Sequence, residues 1–229
     1  MNHLAHFLLS PSDDEARAGT LIADYSRGAD LSAFTPGIEL GIRLHRRIDA
    51  LVDASPEVAA LKPLVEAPLR RYAGILFDVF FDYALIQTWP LAAGHTPLDH
   101  FTSEIYASLA RMQARMPLAA GDAAQRMVTH DALTSCATQA GCARTLARIA
   151  TRLKRPVDLA AGAAVLAAHE QRIVDALARV LPGLTAEARA FADTRSGPVI
   201  VPDRWPDRPI VGQTNNLPGH RQSSHRKMV

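Results

Sequence analysis

The chain has 229 residues, 48% of them hydrophobic and 21% charged, with a formal net charge of +2. That composition describes a globular protein able to bury a sizeable core and excludes a disordered one. So small a net charge does not point to electrostatic capture of nucleic acid, and no nucleic-acid partner is expected, while local basic patches stay open. The two cysteines, Cys136 and Cys142, are too few for a disulfide framework and lack metal-finger spacing, so both read as buried free thiols.

The first residues have no basic lead and no long apolar run before Pro11 and the acidic Asp13, Asp14 and Glu15, which argues against a signal peptide. No uncharged span approaches the roughly 20 residues of a membrane helix. A soluble, cytoplasmic chain without a membrane partner is expected.

Taken in order, the sequence shows helical periodicity and helix starts but no alternating strand pattern through its first three quarters. The expected fold is all-α, a single-domain helical bundle over 1–194 followed by an irregular, proline-rich and basic tail over 195–229. A short first helix carries His3 and His6 on one side. A second is expected over 16–27, ending at Gly28, with Asp24 among apolar neighbours. Thr35 and Pro36 supply a capping hydroxyl and an N-terminal proline for a long helix through Asp53. On it His45, Asp49 and Asp53 follow a four-residue step, with Arg43, Arg46 and Arg47 to the sides.

Pro63 and Pro68 bracket the entry to a helix expected to run to about Trp89, and Thr96 with Pro97 starts another. The alanine- and arginine-rich stretch 122–155 reads as helical with a break near Gly141. A long helix after Pro156 is expected to stop at Pro182 and Gly183, before a short one over 185–193. Within the tail, residues 199–201 and Trp205 are the candidates for local anchoring.

Between Ile75 and Ile86 nearly every residue is apolar or aromatic, which leaves no solvent face and places this helix inside the bundle. Asp78 and Asp82 interrupt it. Four apart, they lie about 40° from one another around the helix and face the same way. Two buried carboxylates side by side take up a proton or recruit a cation, and a divalent metal lets both stay ionised. Their structural alternative is an arginine partner from another helix. Each of His3, His6, Asp24, His45 and Asp49 has an ordinary explanation taken singly, as a core or surface histidine, a cap or an ion pair. Together they occupy successive helices in the first third of the chain. Imidazoles and carboxylates without cysteine suit manganese, iron or magnesium rather than structural zinc. Open positions on such an ion would hold water, a nucleophile for a phosphorus or carbonyl centre.

The run Met1, Asn2, Leu4, Ala5, His6, the block from Gly19 to Asp24, the stretch from Gly41 to Asp49 with Asp53, and Asp78, Val79, Phe81, Asp82 with Trp89 resemble the acyl carrier protein phosphodiesterase family. The resemblance covers about the first ninety residues. It implies a cytoplasmic, all-helical relative of the HD-type metal phosphohydrolases that removes 4′-phosphopantetheine from the serine of holo-acyl carrier protein, with Mn2+ as the usual metal; Mg2+ and Fe2+ suit the same donors. On this reading Asp24, His45, Asp49, Asp78 and Asp82 are the favoured catalytic and metal-binding set, with His3 and His6 as further ligands or their supports. Arg43, Arg46, Arg47, Arg70 and Arg71 would meet phosphate or an acidic carrier protein. Thr20 stands where the family usually has asparagine, and Tyr83 where histidine commonly follows the second aspartate. The alternatives are a phosphohydrolase acting on a nucleotide or another small phosphodiester, and a non-catalytic helical module that binds a carrier protein. Nothing in the sequence indicates the oligomeric state.

Overall fold

The helix at the centre of the protein, Ala73–Gln87, buries ten of its 15 residues, among them Phe77, Phe80 and Phe81. Each of these rings contributes about 1.5–3 kcal/mol by leaving water, so the apolar run dictates that other helices surround it. The computed structural model describes residues 2–193 and is all-α, with no strand among those residues. The α-helices are α1 (His3–Leu9), α2 (Asp14–Ile22), α3 (Pro36–Ala54), α4 (Pro56–Ala59), α5 (Ala73–Gln87), α6 (Trp89–Ala93), α7 (Leu98–Met112), α8 (Leu118–Thr129), α9 (Gln139–Ala150) and α10 (Ala163–Asp193). The expected tail, 195–229, lies outside the described residues, and with it 199–201 and Trp205. No described helix is long and apolar enough to cross a membrane.

α5 packs against α1, α9 and α10, while α2 lies on α3 and α7. The α2–α3 contact is backbone to backbone: a Cβ added at Gly19 would sit 2.1 Å from the Ile38 carbonyl oxygen, and one at Gly41 would sit 2.1 Å from that of Ala16. Only glycine permits this approach. It brings the end of α2 against the middle of α3, and so Asp24 toward His45.

Several element ends differ from the sequence expectation. α2 stops at Ile22, and a 3-10 turn, Ala23–Tyr25, replaces the expected last turn before Gly28, whose φ is 75°. Ser26 ends it, its carbonyl accepting from Arg46 Nη2 at 2.7 Å. The Thr35 hydroxyl precedes α3 but does not cap it, donating instead to Glu15 Oε2 at 2.8 Å. α5 ends at Gln87, and Pro90 falls in the first turn of α6, where its missing N–H matters least. The break in the arginine-rich stretch comes at 130–138 rather than at Gly141. Gly141 instead takes part in the start of α9, donating its N–H to the Thr138 hydroxyl.

α10 continues through Pro182, against the expected stop. The proline is exposed, while Leu177, Leu184 and Ala188 are buried on either side of it. Their spacing of seven and four keeps one stripe on the core across the lost hydrogen bond. The irregular point of this helix is His169, at φ −133° and ψ 21°.

Candidate metal centre

α1 is too short to stand alone, and its N-cap residue Asn2 makes no capping hydrogen bond with its side chain. The cap comes from α5. The Asp82 carboxylate accepts the N–H of Leu4 at 3.1 Å on one oxygen and that of Ala5 at 3.2 Å on the other. Burial pushes this carboxyl up to about 8, against the pull of the two amides. Asp82 therefore fixes where α1 begins, and with it His3 and His6.

His6, from α1, and His45, from α3, stack face to face with centroids 3.7 Å apart and planes 4° from parallel. Both Nε2 atoms turn to the same partner, one helical turn beyond His45: His6 Nε2 lies 3.0 Å from Asp49 Oδ1, and His45 Nε2 lies 3.3 Å from Asp49 Oδ2. His45 Nε2 also lies 3.6 Å from Asp24 Oδ1, and His3 Nδ1 lies 3.8 Å from Asp24 Oδ2. Imidazoles and carboxylates thus alternate from His3 through Asp24, His45 and Asp49 to His6. The His6 and His45 side chains are 1% and 6% exposed and those of Asp24 and Asp49 each 43%, so the cluster opens to solvent on its carboxylate side.

Burial lowers His6 to about 3, against the Asp49 hydrogen bond, so its ring is neutral near pH 7 and can offer a lone pair. Burial also lowers His3, against the attraction of Asp24. For Asp49 burial acts upward, but the hydrogen bonds from His45 and His6 prevail and hold it below the usual carboxylate range. His45 Nδ1 is buried without a hydrogen-bond partner among the described residues, so this ring is held by its stacking and by Nε2.

His6, His45 and Asp49 each offer a donor atom within 4.8 Å of the other two. Two imidazoles and a carboxylate suit a borderline or hard divalent ion. Donors about 2.1 Å from such an ion and at right angles lie about 3.0 Å apart, a spacing close to the 3.0 and 3.3 Å found at Asp49. The donor set fits a metal.

The other residues singled out in the sequence fall outside this triad. Asp78 faces the same region, its carboxyl raised by burial, with the Asp49 and Asp53 carboxylates adding to the effect. Asp82, expected to share an ion with Asp78, points to the α1 amides, because the four-residue step fixes its azimuth but not what lies opposite. Arg43 pairs with Glu39, Arg47 with Glu187, and Arg46 with Ser26, while Arg70 donates to the Val65 carbonyl and Arg71 covers the Tyr72 ring. Thr20 donates to the Ala16 carbonyl at 3.0 Å, beside Ser10. The Tyr83 hydroxyl donates to Glu170 at 2.8 Å, and burial with that carboxylate pushes its phenol up to about 12.

A cleft of about 290 Å³ adjoins the His3 end, lined in part by Arg126, His130, Arg148 and Arg152 from α8, α9 and the segments after them. Sequence reading passed over these residues. Their only signal was the arginine content of 122–155.

An all-helical protein with a buried histidine and carboxylate cluster compatible with a divalent metal is the class that fold and site define. The family model described as acyl carrier protein phosphodiesterase matches residues 1–184, and the chain belongs to that family. A Pectobacterium atrosepticum protein named acyl carrier protein phosphodiesterase is 37% identical over 119 residues, covering 50% of this chain and 62% of the relative. Proteins of the same name from two Escherichia coli strains are 38% identical over 102 and 101 residues, covering 44% of this chain and 53% and 52% of their own lengths. The matched region thus spans little more than half the length of these curated relatives. No solved structure matches the chain.

Proposed function

We propose that the protein hydrolyses the phosphodiester linking 4′-phosphopantetheine to the serine of holo-acyl carrier protein, releasing the apo form, as a cytoplasmic HD-type metal phosphohydrolase whose catalytic domain is 1–194. The observation that carries this reading is the Asp49 carboxylate shared between two stacked imidazoles, in a chain whose family is named for the reaction. His6, His45 and Asp49 would hold the metal, preferably Mn2+, with Asp24 and Asp78 beside them. The ion supplies Lewis-acid screening of a phosphoryl oxygen.

The chain's own residues do the rest. Asp24, 43% exposed and set between His3 and His45, orients both rings and is open to accept at Oδ the proton of a water attacking phosphorus. As the new P–O bond forms, the bond to the serine oxygen breaks, and that oxygen takes up a proton to give apo carrier protein and free phosphopantetheine. Asp82 acts at one remove, holding the α1 amides so that His6 meets Asp49. Arg43, Arg46, Arg47, Arg70 and Arg71 are exposed and suit an acidic carrier-protein surface, an attraction that salt screens.

The test is to incubate the protein with holo-carrier protein and Mn2+, with and without EDTA, and to weigh the products. Loss of the phosphopantetheine mass in the metal sample alone is expected. Turnover confined to nucleotides or other small phosphodiesters would overturn the substrate, and turnover in excess EDTA would overturn the metal centre.

A further inference from the structure

The cleft beside His3 is lined by charged side chains of one sign. Arg126, Arg148, Arg152, His130 and His3 line it, and no carboxylate does. Arg17, Arg47, Arg111 and Arg115 are each ion-paired to an acid elsewhere, whereas among the described residues none of the three cleft arginines is. Arg148 spends one N–H on the Thr145 hydroxyl at 3.0 Å, which fixes its guanidinium and leaves other donors open. Arg152, His3 and Tyr25 line the same cleft, and His3 Nδ1 lies 3.8 Å from Asp24 Oδ2, so the cleft adjoins the carboxylates of the cluster. Uncompensated charges of one sign around a concavity focus their field on whatever enters it, and guanidinium forks match phosphate oxygens. The same lining includes apolar residues, Leu21, Met127 and Ile149, among the charged ones.

We propose that this cleft is a phosphate subsite: Arg126, Arg148 and Arg152 grip the phosphate, and the apolar lining residues take the uncharged chain attached to it. That the chain is a pantetheine arm rests on the function proposed above. The arginine subsite itself rests only on the cleft. It also places the leaving product beside the metal centre rather than on the helix α3 arginines.

Calorimetric titration of the full-length protein in EDTA tests it without turnover. 4′-Phosphopantetheine should bind, dephosphorylated pantetheine should bind at least about tenfold more weakly, and Arg148→Gln or Arg152→Gln should each cost about tenfold in Kd, the loss of one charge-assisted contact. Arg144→Gln, on the same helix but outside the cleft, should bind as the parent does, and circular dichroism should show all variants folded. Equal binding of phosphopantetheine by parent and cleft variants, or of pantetheine and phosphopantetheine by the parent, would overturn the subsite. Arginine-dependent binding without cleavage of holo-carrier protein would leave the subsite standing and sink the catalytic reading. Unimpaired cleavage by an Arg148→Gln/Arg152→Gln double variant would do the reverse.

Discussion

His6 and His45 lie with their rings 3.7 Å apart and 4° from parallel, and each presents Nε2 to a different oxygen of Asp49. Two imidazolium rings could not stack this way without repulsion, so the arrangement requires at least one neutral ring, in keeping with the low value of about 3 for His6. The same spacing serves a hydrogen-bonded trio without metal and a ligand trio with it. A site so organised would need little rearrangement to take an ion.

Replacing Asp49 by asparagine keeps the size and one acceptor but removes the charge an ion needs. Asp49→Asn and His45→Ala are each expected to lower kcat/KM by at least about 100-fold, beyond the effect of losing a residue that merely orients a ligand. Metal content after purification should fall with it. Inductively coupled plasma mass spectrometry beside the carrier-protein assay checks both, and normal metal content in a dead variant would remove Asp49 from the ligand set.

An ion bound only by the folded state adds stability by mass action. At a hundredfold excess over its Kd, Mn2+ should raise the free energy of unfolding by about 2.7 kcal/mol, seen as a rise in Tm that EDTA reverses. Asp49→Asn should show no such rise. A non-catalytic helical module would show none in the parent either.

Asp82 has a structural task that can be separated from ligation. Asp82→Ala strands two buried amides at the start of α1, and about 1–3 kcal/mol of stability should go with it. Asp82→Asn, whose carbonyl can still accept, should recover part of the Tm and retain Mn2+ binding. An asparagine variant with parental Tm and no metal would instead make Asp82 a ligand.

Gly41 faces the Ala16 carbonyl so closely that Gly41→Ala must push α2 away from α3. The expected cost is about 1–3 kcal/mol from overpacking, read by urea denaturation. Because Asp24 follows α2 and His45 lies on α3, kcat should fall more than stability alone explains at temperatures where the variant is fully folded.

Asp14 accepts both Arg111 Nε and Nη2, and the Ser108 hydroxyl. The Arg111 hydrogen bond is foremost in lowering its carboxyl from 3.8 to about 2. A depressed folded value means that the contribution is fully present above 3.8 and is lost as pH falls toward 2. With the side chain a third exposed, solvent screening limits it to about 1 kcal/mol or less. Urea midpoints of Asp14→Asn should lack this part of the acid slope while matching the parent's remaining pH dependence.

Local pattern alone determined much of this protein. The apolar run of α5 required a central helix, and the four-residue step of His45 and Asp49 put both on one face, where they lie 3.3 Å apart. Tertiary structure decided what each face meets. Asp78 and Asp82 share a helix side, yet Asp82 meets the open amides of α1, and the periodicity of one helix holds no information about the end of another. Pro182 reads as a stop because its own hydrogen bond is lost, but buried residues on both sides carry the helix through. The cleft arginines come from separate segments after residue 120, and only the packing of α8 and α9 beside His3 makes their charges one site. Spacing along a chain fixes direction around a helix axis. Which partner waits in that direction is settled when distant segments close-pack.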